Sequence, residues 1–424
     1  MFGWEFPPHI TGGLGTACYG LTKGLAKLDV EIIFVVPKAY GDEDQQAVRL
    51  VNASNIVFDI DKKEKKEYWN KVKYMEIGSN IIPYVSPEEF SNVIEENKKE
   101  SEELKSNVFS KQYEFAGAYG TNLMEEVARY ALIGSAIALK EDFDIIHAHD
   151  WLTYPAGIAA KEASGKPLVV HMHATELDRT GENYNDIVFA MEKEGMEAAD
   201  QVITVSDLTR NTVINRYGID PGKVVTVHNA IEASTLKEIE SIKHNLKEKI
   251  VTFLGRITFQ KGPEYFIEAA HRILQRDRNI RFVMAGSGDM LNKMIERVAA
   301  LGIADRFHFT GFLKGDAVDK MFALSDVFVM PSVSEPFGLV PLEAMRINVP
   351  VVISKQSGVA EILRHALKID FWDVEGLADA IYGLCHYDAL SDAFKKYGKE
   401  EVENLKWDDA AIKVKKVYEP FMAE

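Results

Sequence analysis

The stretch DVFVMPSVSEPFGLVPLEAM, residues 326–345, decides the fold. Its first part, Val327–Pro331, is a continuous apolar run of the kind found in parallel strands buried on both faces. A loop follows, and the pattern then predicts a helix that begins near Gly338. Pro341 falls in the first turn of that helix, where a missing N–H costs little. A strand that leads through a loop into a helix is the unit of an α/β sheet.

Two carboxylates flank the predicted helix start. Seven residues separate Glu335, in the loop, from Glu343, inside the helix. A helix N-terminus offers free N–H groups and a partial positive charge, which suit a phosphate. With a phosphate bound there, the carboxylate inside the helix could hold a ribose, and the carboxylate in the loop could hold the group attached to the phosphate. An acidic helix start that favours the helix dipole explains the same residues equally well. The remaining sequence has to distinguish the two interpretations.

Short apolar runs alternate with helical patterns along the chain, which predicts doubly wound parallel sheets with right-handed crossovers. A length of 424 residues exceeds one ordinary core and predicts two domains. Two such sheets would face each other across a cleft, because ligands bind at the carboxyl ends of parallel strands. The predicted strands are Glu31–Val36, Asn80–Val85, Asp144–Ala148, Pro167–Met172, Gln201–Val205, Ile250–Leu254, Arg281–Ala285, Phe307–Thr310, Val327–Pro331 and Pro350–Ser354.

The polar stretch Glu232–Lys249 predicts the joint between a first domain, residues 1–232, and a second, residues 233–404. A second polar region, Asp61–Ser110, is rich in Lys and Glu and predicts a solvated insertion in the first domain.

Composition excludes several classes of protein. The net charge of −16, without a long basic stripe, argues against a nucleic-acid partner, so any anionic ligand has to be held by a few placed cations. No apolar run approaches the roughly 18 residues of a membrane span, and no signal peptide is visible. Two distant cysteines, Cys18 and Cys385, suit the reducing cytosol. We therefore expect a cytoplasmic protein without integral membrane association.

A glycine pair stands near the start, in ITGGLG, residues 10–15. It follows a short predicted strand, Met1–Trp4, and precedes a predicted helix over Thr16–Leu28. Gly12 and Gly13 allow close backbone approach and positive φ, although a plain tight turn explains them too. Because the strand is abbreviated, we expect a few native residues before Met1.

Two His-x-His pairs end two predicted strands, in DIIHAHDW (residues 144–151) and VVHMHATE (residues 169–176). Alternate residues share a strand face, so each pair should align. Four histidines with Asp150 raise the hypothesis of a metal site. Buried histidines satisfied by hydrogen bonds are commoner, so we expect a polar pocket at the strand ends and no metal.

Two cations bracket a loop in VTFLGRITFQKGPEYFIEAA, residues 251–270. The predicted strand ends at Gly255 and Arg256, and Lys261 precedes Pro263, which opens a helix. Solvated charge is the ordinary explanation. In an acidic chain, however, cations at the carboxyl end of a strand favour an anion site, such as one for a nucleoside diphosphate.

Taken together, these segments resemble the retaining nucleotide-sugar glycosyltransferases of the GT-B fold. The chain is similar to the superfamily of glycogen synthases, sucrose-phosphate synthases and mannosyltransferases, and most similar to a bacterial or archaeal glycogen synthase. The resemblance implies two doubly wound Rossmann-like domains that face a cleft, with a terminal helix, residues 405–424, that packs back on the first domain. It is carried by TGGLG, DIIHAHDW, VVHMHATE, VHNAI, GRITFQKG, MAGSGDM, DVFVMPSVSEPFGLVPLEAM and SGVAEIL.

The resemblance also assigns residues. It implies that Arg256 and Lys261 bind the donor diphosphate, that Glu343 holds the ribose, and that Glu335 contacts the transferred sugar beside His173. It further implies that the donor is ADP- or UDP-glucose, that the acceptor is a glycan, and that no cofactor or metal takes part. The remaining donor-side positions are Gly12, Gly13, Asp150 and Asn229, and Phe337, Gly338, Leu339 and Val340 at the distal phosphate.

One position departs from the family pattern. Typical bacterial glycogen synthases carry a lysine two residues before the glycine pair, and here that residue is Ile10. This departure argues against a glycogen synthase of the typical bacterial ADP-glucose type. The other motifs still resemble the synthase branch, so the resemblance predicts a hexosyltransferase that builds an α-glucan, with transfer to another glycan or to a lipid, such as mannosyl transfer, as the alternative. A nucleotide-sugar epimerase, a metal hydrolase built on the histidines and a non-catalytic sugar-binding protein are the competing predictions.

Overall fold

A computed structural model describes residues 1–9, 12–56, 115–117, 123–232 and 247–422. The predicted strand Asn80–Val85, the insertion Asp61–Ser110 and most of the joint Glu232–Lys249 lie outside the described residues. The α/β class is confirmed, since the described strands form parallel sheets that alternate with helices.

The strands of the first half lie side by side in parallel. Phe2 forms bridges to both Val35 and Ala148 and so joins the strand pair between Ile33 and Asn52 to the four strands between Ile146 and Thr226. The predicted strand Met1–Trp4 is therefore shorter than predicted, since Phe2 alone forms these bridges, with Met1 and Gly3 hydrogen-bonded to Val35 beside it. The strands are β1 (Ile33–Val36), β2 (Arg49–Asn52), β3 (Ile146–His149), β4 (Leu168–Met172), β5 (Gln201–Thr204) and β6 (Val224–Thr226).

The strands of the second half form one six-stranded parallel sheet: β7 (Lys249–Leu254), β8 (Ile280–Ala285), β9 (Phe307–Gly311), β10 (Val327–Met330), β11 (Val351–Ser354) and β12 (Leu367–Ile369). Their spatial order is β9-β8-β7-β10-β11-β12. The chain runs outward from β7 in one direction and then returns to continue from β10 in the other. Ligands bind at such a switch point, in the crevice outside the carboxyl ends of the two central strands.

The helices cover the sheets and include several that are capped as their sequences demand. For example, the Ser206 hydroxyl accepts the Thr209 N–H at the start of the helix Asp207–Tyr217, and Gly218 ends that helix in the left-handed conformation. The described helices are α1 (Gly13–Ala26), α2 (Leu123–Lys140), α3 (Tyr154–Ser164), α4 (Glu176–Thr180), α5 (Asp186–Ala198), α6 (Asp207–Tyr217), α7 (Pro263–Arg276), α8 (Leu291–Ala300), α9 (Asp316–Ala323), α10 (Val340–Arg346), α11 (Val374–His386), α12 (Asp388–Glu403) and α13 (Trp407–Tyr418).

Two predicted helix starts were wrong. Helix α1 begins at Gly13 rather than Thr16, because Gly12 is its N-cap with extended backbone (φ −174°) and not a positive-φ turn residue. Helix α10 begins at Val340 rather than Gly338, because Gly338 has φ +100°, which a helix does not accommodate.

The last helix returns to the first half of the chain. Helix α13 packs on α1, where a Cβ on Gly20 would lie 2.2 Å from the Trp407 ring. The glycine therefore permits the close approach. The division of the chain at residue 232 stays a prediction, since residues 233–246 are outside the described part. No described helix is both long and apolar enough to cross a bilayer.

Candidate functional site

A largely buried ion pair marks the switch point of the second sheet. Lys261 ends the 3-10 turn Phe259–Lys261 that follows β7, and Glu335 lies in the loop after β10. The Lys261 Nζ donates to Glu335 Oε2 over 2.6 Å, and the Ser332 hydroxyl donates to the same oxygen over 3.2 Å. The two charged side chains are only 20% and 9% exposed. The structure thus brings together two residues predicted for the site.

Local backbone features fix both partners. Gly262 has φ +65°, and a Cβ there would lie 2.1 Å from the Pro331 carbonyl oxygen, so only glycine lets the Lys261 turn close against the β10 loop. The Glu335 N–H donates to the Gln356 carbonyl over 3.0 Å, and the Gly358 N–H donates to the Glu335 carbonyl over 2.9 Å. These two hydrogen bonds fix the backbone of Glu335 and therefore the position from which its carboxylate extends.

The second predicted cation lies beside this pair. Arg256 is exposed, and its Nη2 donates to Gln260 Oε1 over 3.1 Å. Gln260 itself is buried in the turn that carries Lys261. The guanidinium is thus tethered at the carboxyl end of β7, where an anion would bind.

The segment between the two predicted carboxylates is less uniform. The Phe337 ring is buried and its carbonyl already accepts the Val359 N–H over 2.8 Å, whereas Gly338, Leu339 and Val340 are partly exposed. Burial raises the pKa of the Glu343 carboxyl, an effect that Arg346 opposes and Asp319 strengthens. Helix α10 has only seven residues.

The opposite wall comes from the first sheet. His149 ends β3, and its Nδ1 lies 3.1 Å from the Nε2 of His173, which follows β4. Burial lowers the pKa of His173 to about 3, so its ring is neutral at neutral pH. His173 can therefore accept or donate one hydrogen bond to a ligand but supplies no positive charge there.

Asp150 lies at the end of β3 in a strained conformation, with φ +65°. Its Oδ2 accepts from Arg179 Nη2 over 3.2 Å, and Arg179 also donates to the Ala174 carbonyl over 2.8 Å. Burial raises the pKa of Asp150, and the Arg179 charge opposes that rise. Arg179 thereby ties Asp150 to the loop that carries His173.

The sequence patterns did not predict Arg179 or its further partner, Glu192. The Glu192 Oε1 accepts a hydrogen bond from Arg179 Nη1 over 3.0 Å. Burial raises the pKa of Glu192 to about 7. The only sequence signal for the network is polar residues within apolar helix faces.

The four histidines stack as pairs, as their spacing predicted. Ring centroids are 4.3 Å apart within each pair, and the planes of His147 and His149 are 17° apart. Nitrogen atoms of His147, His149 and His171 lie within 4.8 Å of one another, one of several groups of described side chains close enough to hold a metal. Face-to-face rings, however, direct their lone pairs side by side rather than toward one point. Both ring nitrogens of His171 have no hydrogen-bond partner among the described residues, so full satisfaction of the buried histidines was not found.

The two walls meet across a cleft. A Cβ on Gly13 would lie 3.7 Å from Leu339, whereas a Cβ on Gly12 would have no described atom within 4 Å apart from its chain neighbours. The Ser334 hydroxyl donates to Asp178 Oδ1 over 2.6 Å, a contact that the sequence reading also missed. The position beside Gly12 is therefore unfilled by described side chains, near the point where the two walls approach each other.

Two of the predicted site residues, Asn229 and Glu343, are not hydrogen-bonded through their side chains to the other predicted site residues, all of which the structure describes. Asn229 is buried after β6, next to His228, whose Nε2 lies 2.8 Å from Glu361 Oε2. Within the described part of the chain, neither Asn229 nor Glu343 has a side-chain hydrogen bond to another predicted site residue. Their roles stay predictions.

Comparison with known proteins fits this arrangement. The family model described as Glycosyl transferases group 1 matches residues 234–401, and that described as Glycosyltransferase Family 4 matches residues 112–235. An uncharacterized glycosyltransferase of Methanocaldococcus jannaschii is 30% identical, over 99% of this chain and 97% of the relative.

Solved structures show the same fold at low identity. Sucrose-phosphate synthase from Thermosynechococcus elongatus has a TM-score of 0.69 at 18% identity, over 97% of this chain and 94% of that one. An Anabaena protein in complex with UDP-glucose has a TM-score of 0.58 at 17% identity, over 69% of this chain and 82% of that one. The protein therefore has the GT-B fold of two Rossmann-like domains and belongs to the group 1 glycosyltransferases.

Proposed function

We propose that the protein is a retaining hexosyltransferase that moves glucose from ADP- or UDP-glucose to a hydroxyl of a growing α-glucan. The observation that carries this proposal is the Lys261–Glu335 pair at the switch point of the second sheet. The solved Anabaena relative in complex with UDP-glucose supports the donor class. The glycogen synthase-like motifs of the sequence support the acceptor class.

The difficult step of such a transfer is departure of the nucleoside diphosphate while positive charge develops on the sugar. In this proposal Arg256 and Lys261 stabilise the departing diphosphate as preorganised cations, and no metal takes part. Binding of the diphosphate would draw the Lys261 ammonium away from full pairing with Glu335. The Glu335 carboxylate then becomes available to the sugar hydroxyls.

The first domain contributes a neutral partner. Because the pKa of His173 is lowered to about 3, its ring acts by hydrogen bonding and not by charge at neutral pH. Glu335 positions the sugar and forms no covalent bond to it. The acceptor hydroxyl attacks from the face that the diphosphate leaves, and its proton passes to the departing phosphate, so the anomeric configuration is retained. Glu343 holds the ribose.

A donor panel tests the proposal. Purified protein is incubated with ADP-, UDP- and GDP-sugars, with and without glycogen primer and with and without EDTA. We expect nucleoside diphosphate release and glucan growth with ADP- or UDP-glucose, insensitive to EDTA. Primer extension only from GDP-mannose, or sugar interconversion without an acceptor, would replace the proposal by mannosyl transfer or by epimerisation.

A further inference from the structure

One short helix of the first domain contacts the two segments of the second domain that carry Lys261 and Glu335. Helix α4 begins three residues after His173 and packs against the turn Phe259–Lys261. Its residue Asp178 accepts the hydrogen bond from Ser334. Since Ser334 directly precedes Glu335, α4 lies between the histidine on one wall and the ion pair on the other.

The two carboxylate oxygens of Asp178 have different partners, one at the start of its own helix and one in the second domain. Its Oδ2 accepts the Thr175 N–H over 2.8 Å and the Thr175 hydroxyl over 2.7 Å, which closes a capping box at the start of α4. Its Oδ1 accepts the Ser334 hydroxyl over 2.6 Å. The carboxylate is almost fully buried, and its two hydrogen bonds from Thr175 fix the acceptor that Ser334 uses.

The contact therefore joins the reacting groups through a short path. Thr175 is two residues from His173, and Ser334 is one residue from Glu335, whose carboxylate binds Lys261. Other hydrogen bonds between the two halves act elsewhere: Glu361 accepts the N–H groups of Asp207 and Leu208 and so caps α6. Of these hydrogen bonds between the two halves, the one at Asp178 is therefore the one that reaches the loop that carries His173.

We propose that Asp178 and Ser334 are positioning residues, whose hydrogen bond sets His173 in register with Glu335 when the two domains close on the donor. This inference rests on the proposed function, because it assigns these residues a role in transfer. Neither residue need touch the reacting atoms. Losing the bond lowers the fraction of bound enzyme in which both walls are aligned, so the effect falls on kcat rather than on the KM of the donor.

Ser334→Ala tests the proposal with little risk to folding, since the side chain is only partly buried. We expect kcat to fall about tenfold, the scale for losing a hydrogen bond to a charged acceptor, with the KM of the donor nearly unchanged. Ser334→Thr keeps the hydroxyl and should restore most of kcat. Ser325→Ala is the matched control, because the Ser325 hydroxyl bonds to Thr252 and Met321 at the opposite end of β10.

A double-mutant cycle with Asp178→Ala, which removes the acceptor of the Ser334 hydroxyl, completes the test. If the two side chains act through one bond, Ser334→Ala lowers kcat in the wild-type background but adds little in the Asp178→Ala background. Additive losses, or equal losses in Ser334→Ala and Ser325→Ala, would overturn the inference. Failure of the proposed function is distinguishable, since wild-type protein would then show no glucan growth from ADP- or UDP-glucose.

Discussion

Removal of the Lys261 ammonium is the sharpest perturbation of the site. Lys261→Ala deletes the partner that lies 2.6 Å from Glu335 Oε2 and leaves that carboxylate with the Ser332 hydroxyl, 3.2 Å away. It also removes one of two cations at the carboxyl end of β7. If Lys261 stabilises the departing diphosphate, we expect kcat to fall by about 10²–10³, or roughly 3–4 kcal/mol of transition-state stabilisation.

The same change should cost the fold less than it costs the reaction. The pair is mostly but not fully buried, at 20% and 9% exposed, so solvent can partly hydrate the remaining Glu335 charge. We expect the free energy of unfolding to fall by about 1–3 kcal/mol. Urea denaturation measures this loss, and a variant that is folded at the assay temperature can be compared directly with the wild type.

The assay is release of nucleoside diphosphate under saturating donor, with Lys249→Ala as the matched control. Lys249 begins the same strand β7 at its other end and pairs with Asp326 over 3.3 Å, so it loses a similar ion pair far from the cleft. We expect wild-type kcat from the control. A Lys261→Ala enzyme that keeps a third or more of wild-type kcat would refute the assigned role, as would an equal loss in both variants.

Three other outcomes are expected. Mass spectrometry of protein quenched during turnover should find no glycosyl adduct on Glu335, and a stable adduct there would disprove the positioning role. Gly262→Ala should lower the melting temperature more than Gly218→Ala: both glycines have positive φ, but only a Cβ on Gly262 meets a backbone atom, at 2.1 Å, and equal losses would contradict the clash. Between pH 5 and 6.5 the unfolded chain protonates four histidines whose pKa burial lowers in the folded protein, where they stay neutral: His147, His149, His171 and His173. Glu192 acts in the opposite sense, because it holds a proton only when the chain is folded. The free energy of unfolding should therefore rise with pH by up to about 1.4 kcal/mol per pH unit for each net proton, and a flat urea midpoint over this range would show that the histidines titrate normally.

The sequence predicted the central strands well because their burial is written into continuous apolar runs. Strand β4 was predicted to within one residue, and so was β10. Strands β2, β6 and β12 were missed, because each is at most four residues long and only partly buried. Such strands form because a neighbour offers its hydrogen bonds, a tertiary effect that no local pattern contains.

The members of the site were easier to predict than their contacts. Arg256, Lys261 and Glu335 stand in the loops that follow buried strands, and parallel strands bring such loops to one edge of the sheet. The pairing of Lys261 with Glu335 spans 74 residues and depends on β7 lying next to β10. The hydrogen bond of Ser334 spans 156 residues and depends on how the two domains face each other.

Glycine conformations were predicted less well. Gly12 permits a positive φ but adopts an extended one, and Gly338 takes its positive φ before the helix rather than within it. The residue type only widens the set of allowed conformations, and the chain on either side then selects among them.

The most direct test of the account is the rate of nucleoside diphosphate release by wild-type protein and by Glu335→Gln, measured side by side with ADP-glucose and UDP-glucose in the presence of glycogen. The account predicts release by the wild type with at least one of these donors, and a loss of about 10² or more in the variant, which keeps the shape of the side chain but not its charge. No release by folded wild-type protein, or equal rates in the two proteins, would contradict the claim that the Lys261–Glu335 pair is the centre of sugar transfer.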